Sequence, residues 1–420
     1  MFVSVLQTVC SVLAAVLGVL YFYQMVYLFV PVVLRKKKPT GPIKQHRFAI
    51  LIAARNEENV IPHLLDSINA QDYPAELLTT YVIADNCTDN TAEAARKHGA
   101  HVYVRFNKEK VGKGYALDYL LDQLKADGLF DQHDAFMIFD ADNLLLPNYF
   151  TEMNKTVAQG YEAFSGYRNT KNFGSNWLSA GYSVWYLHDS VHMNQSRYLL
   201  GQPCAVNGTG FGLTRELLER IGGWKFFTLT EDIEFSLVCA TRGYKVGYCH
   251  VAILYDEQPT IWRQSWKQRT RWSQGGIQIA FRYTGDLFRG LFKGGRTTLA
   301  TIEQWTLSLW GVTLGTVSAI LALILAFLMG GINAVVTSLV VATATTYGTM
   351  AMIGLWTVLT EWKRIHTSGW RKIFSALCFP LYIITWLPIS ATAGFKKFQW
   401  TPIEHTVAVS TQEVTTGGKK

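Results

Sequence analysis

Three acidic signals follow one another along the chain, Asp85-Asn86, Asp140-Ala141-Asp142 and Thr230-Glu231-Asp232, and a fourth signal, Gln268-Arg269-Thr270-Arg271-Trp272, comes after them. Asp140 and Asp142 stand one residue apart in a turn, so both carboxylates can reach one cation. Mg2+ (or Mn2+ in its place) is typically held by one or two carboxylates, with substrate phosphates and water completing the shell. Such an ion suits a nucleoside diphosphate, whose charge must be neutralised as it leaves. An isolated Asp-x-Asp is more often a solvated turn, but this one closes the buried-strand run Phe136–Phe139. Glu231-Asp232 opens an apolar helix at Ile233. A hydroxyl is a poor nucleophile, and a carboxylate can take its proton in the transition state. Asp232, with Glu231 beside it, is the candidate base; the rival reading makes Thr230 or Asp232 a helix cap.

Asp85 also ends an apolar run, where a carboxylate can accept the imide hydrogen of uracil and select a uridine nucleotide. Ala53 and Glu57 lie at the matching end of the first strand and could frame base and ribose. A plain turn, with Thr88-Asp89 capping the next helix, explains Asp85-Asn86 equally well. Lys110 and Lys113, beside glycines, could steady phosphate oxygens or simply belong to a solvated loop. Asn207-Gly208-Thr209-Gly210 offers close backbone approach to a bound sugar. Between Ile261 and Tyr283, Trp262, Trp266 and Trp272 alternate with Arg263, Lys267, Arg269 and Arg271. Indoles stack on sugar rings, and Arg or Gln side chains bind a diphosphate in fixed geometry. A helix lying at a membrane surface would have the same composition, and one helix could do both.

The elements that must position these residues alternate. Phe48–Ala54, Thr80–Ala84, His101–Arg105 and Ala135–Phe139 have strand length and character. Asn59–Asn69, Thr91–His98 and Gly114–Leu124 carry helical spacing. The alternation predicts a mainly parallel sheet covered on both faces. Ligands bind beyond the carboxyl ends of such strands, where Arg55-Asn56-Glu57, Asp85-Asn86 and Asp140-Ala141-Asp142 converge.

The flanks are apolar. The chain is 49% hydrophobic and only 17% charged, and residues 2–34 contain no charge before Arg35-Lys36-Lys37-Lys38. That exceeds the ~20 residues needed to cross a bilayer, and it lacks the basic start of a signal peptide. A transmembrane helix over 1–34 is expected, with its cationic end in the cytoplasm. The uncharged stretches 305–330 and 334–360 predict a transmembrane hairpin turning at Gly330–Asn333. Residues 371–394, interrupted by Pro380 and Pro388 and flanked by cations on both sides, read as an interfacial or re-entrant helix. The net charge of +8 gathers beside these segments, where anionic lipid attracts it, so nucleic acid is not an expected partner. The six cysteines show no zinc spacing and should be free thiols. Thr337, Thr343, Thr345, Thr346 and Thr349 could give one helix a polar face, or serve small-residue packing.

The order of an Asp after strand two, Asp-Ala-Asp, Thr-Glu-Asp and Gln-Arg-Thr-Arg-Trp resembles the membrane-embedded processive family 2 glycosyltransferases. These include cellulose, chitin, hyaluronan and poly-N-acetylglucosamine synthases. The resemblance covers residues 48–290 and the flanking helices. It implies an α/β GT-A (Rossmann-like) cytoplasmic domain over 44–260, inserted between transmembrane helices. Residues 261–304 would then form interface helices. It further implies a UDP-sugar donor (UDP-glucose or UDP-N-acetylglucosamine), a divalent metal, inversion at the anomeric carbon, and a growing polysaccharide exported from a multi-pass plasma-membrane enzyme. Carried over by position, Asp85 contacts uracil, Asp140 and Asp142 handle UDP and metal, and Asp232 is the base. Gln268, Arg271 and Trp272, with Arg269 between them, hold diphosphate and acceptor. Phe398-Gln-Trp-Thr-Pro, within 395–420, resembles a cellulose-synthase gating loop, although Trp400 and Ile403 depart from its pattern. Transfer of one sugar to a lipid carrier is the alternative enzyme, and a transporter or scaffold the alternative class. An accessory export subunit would be compatible with the few spans visible.

Overall fold

The computed structural model describes residues 1–35, 43–395 and 413–414; Lys36–Lys38, Lys396-Lys397 and the gating-loop-like segment lie outside the described residues. The strands are β1 (Phe48–Ala54), β2 (Leu78–Asp85), β3 (His101–Arg105), β4 (Ala135–Asp140), β5 (Leu144–Leu145), β6 (Ala163–Thr170), β7 (Phe211–Thr214) and β8 (Val246–Asp256). Among the described residues they make one sheet, ordered β3-β2-β1-β4-β7-β6-β8-β5. The first four strands pair in parallel, as their intervening helices require. Successive β1 residues face opposite cores: Ala49 and Leu51 enter one, Phe48, Ile50 and Ile52 the other. Burial on both faces is why these strands read as unbroken apolar runs.

Beyond β4 the expected parallel pattern fails. β7 runs antiparallel to both β4 and β6, and β5 antiparallel to β8, while β6 and β8 are parallel. The reason is local. The Asn207–Gly210 turn delivers the chain to the carboxyl end of β4, where the Gly210 N–H bonds the Ile138 carbonyl at 3.0 Å, so β7 can only run back. The result is a mixed sheet whose second half arches over the ends of the first.

Three helices are long and apolar enough to cross a membrane: Phe2–Val33, Leu309–Thr360 and Gly369–Ala393. The second is broken at Gly330-Gly331, where Gly331 has φ +63°, so the expected hairpin tip falls where the glycines put it. Trp305 belongs instead to the preceding helix, Gly295–Leu307. The third comprises Gly369–Ile384 and Trp386–Ala393, joined at Thr385. Pro380, expected to interrupt it, sits inside a continuous helix. It removes only the N–H that would have bonded the Ala376 carbonyl. Gly354 of the neighbouring helix packs close to that carbonyl, since a Cβ at 354 would stand 2.9 Å from its oxygen.

The apolar helices are tied to the sheet domain by buried polar contacts. Glu303 receives the Tyr27 hydroxyl and, at 2.7 Å, the Arg197 Nε. Glu361 receives the Tyr167 hydroxyl of β6 at 2.6 Å and Arg364 Nη1 at 3.2 Å.

Candidate active site

The carboxyl ends of β1, β2 and β4 meet, as the alternation predicts. Ala53 is the register partner of both Ile83 and Asp140. Just past these ends Asn56 (φ 59°) and Asn86 (φ 54°) take the left-handed conformation, which Asn tolerates better than most residues. The Asn56 carboxamide accepts the Thr88 N–H at 2.8 Å, joining the two loops. Glu57 lies in the same loop, its N–H bonded to Thr91 Oγ1 at 2.8 Å. Asp85 is buried and bonded at 2.5 Å to Arg105, its register partner on β3. One oxygen of Asp85 is therefore committed within the fold.

Asp140, at the end of β4, is reached by Lys113 Nζ at 2.5 Å, and the same ammonium bonds the Gly208 carbonyl at 2.6 Å. Burial would lower the Lys113 pKa, but Asp140, Glu231 and Asp232 outweigh it and raise it instead. Thr209 Oγ1 accepts the Asp140 N–H at 2.8 Å and donates to Asn143. Asp142 is buried, accepting the Glu257 N–H at 3.0 Å and the Asn143 amide at 3.3 Å. Asp256, at the end of β8, is pushed up to about 6, first by burial and further by Asp142, against the pull of Arg168. Among the described residues no three His, Cys, Asp or Glu side chains form a metal cage. Two carboxylates one residue apart, Asp140 and Asp142, still match the sparse protein ligation Mg2+ takes beside substrate phosphates.

Glu231 and Asp232 begin the helix Glu231–Arg242, and Thr230 makes no side-chain cap there. Both carboxyls are held above the usual range. Glu231 rises to about 7, through burial first and the neighbouring Asp232 second, with Lys113 and Arg271 pulling the other way. Asp232 is raised by burial, opposed by the Ile233 N–H, by Lys113 and by the Gly208 N–H. Gly208, at φ +77°, thus presents its N–H to Asp232 and its carbonyl to the lysine on Asp140. The two peptide units that flank the Gly208 Cα thus face the two acidic sites.

The helix Trp262–Arg282 closes this side. Its Gln278 Oε1 accepts the Leu229 N–H at 3.0 Å, and a Cβ at Gly275 would collide with the Thr230 hydroxyl. Arg271 faces Glu231 electrostatically. Among the described residues, Gln268 Oε1, Thr270 Oγ1, Arg271 Nε and Thr230 Oγ1 are buried polar atoms that find no partner. Trp272 is half-buried, stacked on Trp386 at 6.0 Å and edge-on to Tyr182 at 5.9 Å.

Arg269 departs from its expected role. It is fully buried, donates to Thr385 Oγ1 at 2.6 Å, and lies 4.9 Å from the Tyr382 ring, 5.5 Å from Trp262 and 5.6 Å from Trp386. Two residues, about 200° around the helix axis, separate it from Arg271, and its contacts hold the Gly369–Ala393 helices. Arg105, Arg168, Asp189 and Asp256 were not singled out by sequence. Arg105 could have been, since it ends a predicted strand paired with the one ending in Asp85. Arg168 and Asp256 lie on β6 and β8, outside the strands that the alternation identified.

Residues 46–275 match the model described as Glycosyltransferase like family 2. The chain belongs to glycosyltransferase family 2. Among family members, it is 28% identical over 241 residues to the beta-monoglucosyldiacylglycerol synthase of Synechocystis sp., covering 56% of this chain and 48% of the relative. It is 27% identical over 255 residues to the poly-beta-1,6-N-acetyl-D-glucosamine synthase of Staphylococcus aureus, covering 59% of each chain. The match therefore spans about half to three fifths of these curated relatives. The mannosyltransferase PcManGT from Pyrobaculum calidifontis, solved with GDP-Man and Mn2+, superposes with a TM-score of 0.56 at 19% identity, over 90% of this chain and 99% of that one. The fold of this family 2 glycosyltransferase is accordingly GT-A, with apolar helices on either side of the sheet domain.

Proposed function

We propose that this family 2 glycosyltransferase is a membrane-bound, inverting enzyme that adds sugar from a UDP-sugar to the growing end of a β-linked polysaccharide. The observation that carries the reading is the position of Gly208, where a Cβ would stand 3.8 Å from Asp232 Oδ2 and whose carbonyl bonds the lysine of the Lys113–Asp140 pair. A base for the acceptor and a charged group for the diphosphate thereby stand on either side of one point. Asp232 takes the acceptor hydroxyl proton as that oxygen bonds to the anomeric carbon. The bond from that carbon to the diphosphate oxygen breaks on the opposite face, which inverts the centre. Lys113 and Arg271 offset the charge that develops on the departing UDP. Asp140 and Asp142 would hold a divalent cation, which supplies further charge neutralisation on the diphosphate. Ala53, Glu57 and the uncommitted oxygen of Asp85 frame the uridine. Gln268, Arg271 and Trp272 border the acceptor side, where unpartnered polar atoms await hydroxyl groups.

A second reading, one sugar added to a lipid, is favoured by the name of the Synechocystis relative and by the apolar helices beside the acceptor end. Incubating the full chain in lipid with UDP-glucose, UDP-N-acetylglucosamine and GDP-mannose, then measuring nucleotide release and product mass, separates the two. A ladder of polymer supports the first reading, and a single glycolipid mass replaces it with the second. No nucleotide release from any donor would overturn both.

A further inference from the structure

Gly208 can serve both acidic sites only if the two peptide units flanking it keep one relative orientation, and a glycine at positive φ has little intrinsic reason to hold one. What fixes it is Asn207. The Asn207 side-chain amide donates to Asp189, and the Asn207 carbonyl accepts Arg168 Nη1 at 2.8 Å. Asp189 is the first residue of a π-helical segment, Asp189–Gln195, and is braced by Asn194 Nδ2 at 3.3 Å. Such segments interrupt a regular helix at a cost and occur most often at functional sites. Arg168 is braced in turn. Its Nε donates to Asp256 Oδ2 at 2.6 Å, and its guanidinium lies 3.7 Å over the Tyr186 ring.

We infer that Asp189 and Arg168 are positioning residues: they clamp Asn207 by its side chain and its carbonyl, fix the Asn207–Gly208 peptide that lies against Asp232, and so aim Asp232 at the acceptor hydroxyl. The inference rests on Asp232 acting as the base. Burying an arginine and two carboxylates is expensive, and apolar packing of equal volume would cost less. What the polar arrangement supplies is a unique geometry, because the fork of a guanidinium bonds two oxygens only at fixed angles. Arg168 further joins the Asp256–Asp142 side of the pocket to the turn that holds the base.

The test uses the full chain, the donor that the wild type turns over, and the variants Asn207→Ala, Asp189→Ala and Asp189→Asn. The two alanine variants should lose about 10- to 100-fold in kcat, part of the range a general base supplies, while the donor KM and the Kd for UDP stay within about twofold. Asp189→Asn keeps an oxygen that can accept from the Asn207 amide, and should retain at least about a third of wild-type kcat. It also provides a folded variant at the same position. The clamp is overturned if Asn207→Ala keeps near-wild-type kcat, if UDP binding weakens in step with kcat, or if Asp189→Asn is as damaged as Asp189→Ala. Asp232→Asn is measured alongside. If it remains fully active, the base assignment itself has failed; if it is inactive while Asn207→Ala is not, only the clamp has.

Discussion

Asp232 and Glu231 share a buried corner with one lysine, and their roles should separate on substitution. Asp232→Asn removes the proposed base but leaves the proposed UDP contacts at Asp85 and Asp140, so transfer should fall by ~10²–10⁴-fold with UDP affinity, read by calorimetry, nearly unchanged. More than about a tenth of wild-type turnover would remove Asp232 from that role. Glu231 predicts a pH effect on stability. Its pKa is raised from 4.5 to about 7 in the fold, so between these values the folded chain keeps a proton that the unfolded chain has released. Stability should therefore fall as pH rises through that window, by on the order of 3 kcal/mol before coupling to Asp232 and Lys113 redistributes it. Glu231→Gln should flatten the slope of melting temperature against pH between about 4.5 and 7, and an unchanged slope would assign the effect elsewhere. Asp140 and Asp142 predict that chelation weakens UDP binding and that Asp142→Ala weakens it most at limiting Mg2+ or Mn2+. Equal UDP affinity with and without chelator would contradict the metal assignment.

At the level of the element, the helix Trp262–Arg282 works with two faces. One turns Arg271 and Gly275 toward Glu231 and Thr230, and the other buries Arg269 among Tyr382, Trp262 and Trp386, the last of which also stacks on Trp272. Arg269→Lys keeps the charge but loses the planar stacking and the reach to Thr385, worth roughly 2 kcal/mol when desolvated. It should lower the melting temperature and expose Thr385 to proteolysis, with donor binding unaffected. A variant that loses UDP affinity while keeping its melting temperature would return Arg269 to the diphosphate. The sequence pattern placed the five-residue motif on a helix but could not say which face Arg269 takes, because Tyr382, Thr385 and Trp386 of its cage lie more than a hundred positions away. For the same reason β1–β4 were legible and β6–β8 were not. The first strands are apolar on both faces and punctuated by helices, whereas β6 reads Ser165-Gly166-Tyr167-Arg168-Asn169-Thr170, polar because its side chains bond the Ala205 carbonyl, Asp256, the Arg364 carbonyl and Ser183. The Asn207–Gly210 turn looked like any glycine-rich loop. Its meaning lies in the partners of Gly208, which only the tertiary structure brings together.

The whole molecule is held as one body by two buried joints, Tyr27–Glu303–Arg197 on one side and Tyr167–Glu361–Arg364 on the other. Glu303→Gln would leave Arg197 buried without its counter-charge, which typically costs about 3–5 kcal/mol. The expected outcome is a marked fall in the melting temperature of the detergent-solubilised protein; a variant as stable as wild type would show that the joint is ornamental. Glu303→Leu combined with Arg197→Leu should recover much of the loss, since the pair is then removed together. The joint at Tyr167 lies beside an irregularity in β6, where the register with β8 shifts between Gly166 and Tyr167, one residue before the arginine that braces Asn207. These joints also restrict how such a protein can be recombined. A chimera that takes its sheet domain from one relative and its apolar hairpin from another would inherit half of each joint. Exchange between relatives should therefore succeed as blocks that carry Tyr167 with Glu361, and Arg197 with Glu303, and fail at crossovers drawn between them.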